Sequence, residues 1–92
     1  MSFLKSLFSR GGGEAKPAAA SERYNGFTIT AVEMKSGSEY QLAGTIEKEI
    51  GGEVRSARFI RADKFPTADD AAAAALRKGQ QIIDEQGDRV FD

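Results

Sequence analysis

The chain has 92 residues, a net charge of −1, and no cysteine, histidine or tryptophan. This length makes one domain at most, and the near-neutral charge gives no overall attraction to nucleic acid or anionic lipid. Without cysteine or histidine there are no disulfides, no thiolate chemistry, and neither the commonest general base nor the commonest transition-metal ligand.

Charge is unevenly placed. Residues 1–23 carry four basic and two acidic side chains, whereas residues 24–92 carry nine basic and twelve acidic ones. The opening Met1-Ser2-Phe3-Leu4-Lys5-Ser6-Leu7-Phe8 is too short and too charged for a signal h-region, and far below the roughly 20 apolar residues of a membrane span. A cytoplasmic location is the expectation. Phe3, Leu4, Leu7 and Phe8 fall on one face of a helix, with Lys5 and Arg10 off it. So short a helix is marginal in water unless its apolar face is covered. The cover is either the chain's own sheet or something external, a partner or a membrane surface.

Gly11-Gly12-Gly13 and the Ala/Lys/Pro run after it predict a flexible linker over residues 11–22, with the folded unit at 23–92 and a separate apolar segment at 1–10. The triple glycine lacks the preceding strand and following Gly-Lys-Ser/Thr of a phosphate loop.

Residues 24–34 predict the first strand, with Phe27, Ile29 and Ala31 alternating against Thr28, Thr30 and Val32. Ser36-Gly37-Ser38 is a turn. Residues 39–50 predict the second strand, with Tyr40, Leu42, Gly44 and Ile46 on one face. Gly51-Gly52 supplies a two-residue hairpin, and residues 53–62 return as the third strand. That turn pairs Ile46 with Ala57, Gly44 with Phe59, Leu42 with Arg61, and Lys48 with Arg55. Pro66 ends the extended run. Thr67 caps a helix from about Ala68 to Gln86, aided by Asp69 and Asp70 at its positive start, and Gly87 stops it. Ala72, Ala75, Leu76, Gly79 and Ile83 form its predicted inner stripe. Gly79 costs about 1 kcal/mol against alanine in a helix interior, which close approach to a strand can offset. Val90 and Phe91 are expected to fold back as an apolar tie. The predicted fold is α+β: a three-stranded antiparallel meander with one long C-terminal helix on one face. The predicted core is Phe27, Ile29, Leu42, Ile46, Phe59, Leu76 and Ile83, in a domain of modest stability.

Candidate chemistry is sparse. The pairs Asp69/Asp70 and Asp84/Glu85 sit at helix ends, where capping and solvation explain them better than a shared catalytic cleft. Arg55, Arg58 and Arg61 are spaced by three, so a strand sends Arg58 to the opposite face from the others. No nucleophile–base pair or metal cluster is evident, and the chain reads as no enzyme, with no cofactor. The strand order followed by a helix resembles the end of a double-stranded-RNA-binding domain. Those domains start that helix with lysines; here Asp69 and Asp70 invert the charge.

Tyr24-Asn25-Gly26-Phe27, Phe59-Ile60-Arg61-Ala62-Asp63 and Gln80-Gln81-Ile82-Ile83-Asp84-Glu85-Gln86-Gly87-Asp88 resemble the small HlyU family of bacterial transcriptional activators. The short Met-Ser-Phe-Leu start and the glycine run are similar too. The resemblance covers roughly residues 1–6 and 24–91, and its closing segment is the most specific. It implies transcriptional regulation and brings no established site residues. The residues themselves present no helix-turn-helix pair, because only one long helix is predicted. Regulation through a protein partner is therefore the expectation, with Phe3, Leu4, Leu7 and Phe8 as the candidate contact. Direct nucleic-acid binding is the alternative.

Overall fold

The computed structural model describes residues 15–92. Its elements run β1 (Ala15–Tyr24), β2 (Phe27–Ser36), β3 (Glu39–Ile50), β4 (Glu53–Phe65) and α1 (Ala68–Gln86), closed by a 3₁₀ turn over Gly87–Phe91. The strands form one antiparallel sheet in the order β1-β2-β3-β4. This confirms the α+β class and its single C-terminal helix. It corrects the strand number, since the sequence predicts three strands and the sheet has four.

The additional strand lies mostly in the stretch predicted as a linker. Its register follows from the hairpin that joins it to β2. Tyr24 pairs with Phe27 across Asn25-Gly26, whose φ angles of 52° and 85° suit the primed turns that match strand twist. Local composition argues against a strand over residues 15–22. Pairing to β2 and contacts with α1 override that weak propensity. Glu22 accepts a hydrogen bond from the Gln80 side chain. The Tyr24 hydroxyl donates to Asp84, with oxygens at 2.8 and 3.1 Å.

The carboxylate partner stabilises the protonated phenol. The Tyr24 pKa is raised above its ordinary 10.0, first by the hydrogen bond to Asp84, then by desolvation and nearby negative charge. A raised folded value means this contribution is complete below the ordinary tyrosine pKa. It is lost as pH climbs through the folded value. In a Tyr40→Phe background, ultraviolet titration should find Tyr24 ionising above 10.0. Asp84→Asn should bring the transition back down. An unmoved transition would detach Tyr24 from Asp84 in solution.

The β3–β4 hairpin follows the predicted turn, with Ile50 opposite Glu53, Ile46 opposite Ala57 and Gly44 opposite Phe59. Lys48 also faces Arg55, as predicted. Each cation has a separate acidic neighbour: Lys48 Nζ lies 2.9 Å from Asp88, and Arg55 Nε lies 3.9 Å from Glu53. The pairing fails at Leu42, which does not meet Arg61. Ala43 pairs with Ile60 and Gln41 with Lys64, so Arg61, Ala62 and Asp63 bulge opposite Leu42. The Gln41 amide donates to the Arg61 carbonyl at 2.8 Å and holds the bulge.

Phe27, Ile29, Ala31, Leu42, Ile46 and Phe59 bury themselves under α1. The Thr67 hydroxyl caps the helix by accepting from the Asp70 amide at 3.1 Å, and the Gly87 amide reaches the Ile83 carbonyl. Its buried stripe is Ala71, Ala74, Ala75, Gly79, Ile82 and Ile83. Ala75, Gly79 and Ile83 were predicted; Ala72 and Leu76 flank the stripe, half-buried. The long alanine run blurs which face is apolar, so the sequence misplaces the stripe slightly. Gly79 lies against Ile29, where an added Cβ would stand 2.6 Å from Cγ2. Close approach therefore accounts for that glycine. Phe91 folds back onto Phe27, with ring centroids 6.0 Å apart, and the Lys48 ammonium sits 4.7 Å from the Phe27 ring centre.

Candidate functional site

With α1 on one side, the other side of the sheet has no covering element among the described residues. Period-two alternation decides what it presents. One row across the strands is Ser21, Thr30, Thr45 and Arg58; the next is Arg23, Thr28, Glu47 and Ser56. A third places Val32 from β2 beside Ala43, which faces Ile60 on β4. The Ser21 and Thr30 hydroxyls are 3.4 Å apart.

Three threonines flank a small apolar strip. Ala43 is only 1 % exposed, while Ile60 and Val54 at the β4 side are 42 % and 66 % exposed. At one end, Arg23, Thr28, Glu47, Glu49 and Val54 bound a shallow depression of about 400 Å³. Arg23 and Lys48 stand there with Glu47 and Glu49. Their fields oppose one another, so the face has no single-sign focus for a phosphate chain.

The other sequence candidates separate in space. Asp69 and Asp70 lie in the first turn of α1, whereas Asp84 serves Tyr24 and Asp88 serves Lys48. Arg58 is on the open face, Arg55 is beside Glu53, and Arg61 is in the bulge. Among the described residues, no group of three or more His, Cys, Asp or Glu is placed to hold a metal ion. Among the same residues, no helix is long and apolar enough to cross a membrane. Phe3, Leu4, Leu7 and Phe8 lie outside the described residues. The exposed apolar pair Val54 and Ile60 was not singled out from sequence. The usable signal is their even spacing on one predicted strand, which puts both on one face.

The arrangement defines a small α+β protein whose antiparallel sheet is, among the described residues, covered by a helix on one side only. The chain matches the family described as transcriptional activator HlyU over residues 2–91, nearly its full length, and belongs to that family. No curated protein and no solved structure matches it. That family is one of transcription regulators, not an enzyme family.

Proposed function

We propose that this protein is a cytoplasmic transcriptional regulator that acts through protein contacts, without catalysis of its own. The open sheet face and the apolar segment Phe3, Leu4, Leu7 and Phe8 are the contact elements. The observation that carries this reading is the open face itself: threonines and a short apolar strip, with opposed charges around them. Such a surface suits another protein better than a phosphate backbone, which needs a continuous basic track. The single long helix begins with Asp69 and Asp70, so it offers phosphates a repulsive start.

Direct DNA or RNA binding is accordingly expected to be weak at physiological salt. A salt titration yielding submicromolar affinity with a steep slope would favour the nucleic-acid reading instead. A photo-crosslinking residue at Thr45, used in the native cell, tests the face itself. The expected adducts are protein, and Phe3→Ser with Phe8→Ser should reduce them. Nucleic-acid adducts from Thr45 would overturn the proposal.

A further inference from the structure

Among the described residues, β4 forms one edge of the sheet with no strand beyond it. Helix α1 lies over β2 and β3 and extends toward β1, leaving β4 nearly uncovered. Of its thirteen residues only Phe59 is buried. Ile50 and Glu53 flank a two-residue turn, which makes them a hydrogen-bonded pair. Glu53, Arg55, Ala57 and Phe59 therefore turn their N–H and C=O groups toward β3. Val54, Ser56, Arg58 and Ile60 turn theirs to the free edge, and their side chains share the open face. An edge of this kind is a template for strand addition.

We propose that β4 pairs antiparallel with β4 of a second copy of this chain, about a twofold axis at Ala57, joining two sheets into one. The argument is complementarity in that register. Val54 falls opposite Ile60, so the large apolar side chains most exposed in the described chain cover each other, twice by symmetry. Just beyond the regular stretch, Glu53 falls beside Arg61, the first residue of the bulge, also twice. Arg55 meets Phe59, and Arg58 meets Ser56, so no like charges oppose. Ala57 meets itself at the non-hydrogen-bonded position, where strands approach most closely and a small side chain fits.

The neighbouring registers are worse. An axis at Arg58 sets that arginine on itself, Arg55 on Arg61, and Glu53 on Asp63. An axis at Ser56 leaves Ile60 opposite Gly52. The stretch 54–60, symmetric about Ala57, ends just before the bulge that starts at Arg61, so the edge is regular where its main-chain pairing falls. The opposite edge is poorer, because Pro17 lacks an N–H and the β1 register shifts between Pro17 and Ser21. Charged side chains normally protect an edge strand. Here they protect it against other registers and leave this one satisfied.

Sedimentation equilibrium on the full chain should give a mass rising with concentration toward twice 9.9 kDa. Glu53→Arg or Arg61→Glu alone puts like charges across both ends and should weaken dimerisation about tenfold; the two together should restore it. Ala57→Cys, in a chain with no other cysteine, should form an intermolecular disulfide on mild oxidation. Val54→Cys should not, since six residues of strand, roughly 20 Å, separate the two copies of that position. A monomeric mass at all concentrations would overturn the proposal. So would equal cross-linking at both positions, or a double charge reversal that fails to recover the dimer.

Discussion

Ile46→Ala is expected to destabilise the fold by about 2–5 kcal/mol, the range for emptying a buried aliphatic site. Ile46 is 0 % exposed and central, with Ile29 across one ladder and Ala57 across the other. Ile29 is also 0 % exposed and is already pressed against Gly79, so it has little freedom to collapse into the space. The cost should therefore fall toward the upper part of that range. In a domain this small each kcal/mol shifts Tm by about 4–8 °C, and total stability is only about 5–15 kcal/mol. Thermal and urea unfolding of a graded series would measure it. Ile46→Val should cost about 0.5–1.5 kcal/mol. Ile60→Ala, on the open face and 42 % exposed, should cost much less than Ile46→Ala. Equal losses at Ile46 and Ile60 would mean that both faces of the sheet are covered in solution.

What the sequence discloses follows from how local each signal is. The helix is bounded by residues that act within a turn of where they stand. Thr67 caps it and Gly87 ends it, and both lie where the pattern puts them. The Gly51-Gly52 hairpin is similarly local, and its register carries from Ile50 to Ala43. The register then changes because Gln41 reaches the Arg61 carbonyl, an interaction no strand alternation encodes.

The missing strand β1 has two causes. Asn25-Gly26 is a strong hairpin signal, but with no strand-like run before it the dipeptide falls into the strand that the sequence predicts over residues 24–34 rather than between two strands. The alanine-rich residues before it have poor strand propensity. Their place depends on partners distant in sequence: β2 along the ladder, and Gln80 and Asp84 on the helix. The open face was legible as a consequence of having one helix for one sheet. Its exposed apolar edge was not, because exposure at Val54 and Ile60 depends on where α1 lies across the strands.

Gly44→Ala should lower stability by about 1–3 kcal/mol, the usual cost of overpacking a filled site. Alanine ordinarily improves a strand or is neutral there, so the sign is diagnostic. A Cβ at residue 44 would lie 2.7 Å from the Phe59 Cζ and 2.9 Å from the Thr30 carbonyl oxygen. The ring is in a buried position under the helix, and the carbonyl belongs to backbone held between β2 and β3. Neither can retreat without disturbing a ladder or the core. The two obstacles can be separated. Phe59→Leu removes the ring at its own cost, and in that background Gly44→Ala should be less damaging than in the parent. Some penalty should persist, because the Thr30 carbonyl remains. Complete relief would assign the conflict to the ring alone. An unchanged penalty would assign it to the backbone contact, and a stabilising Gly44→Ala in the parent would show that the two strands lie farther apart than the packing of Phe59 over Gly44 requires.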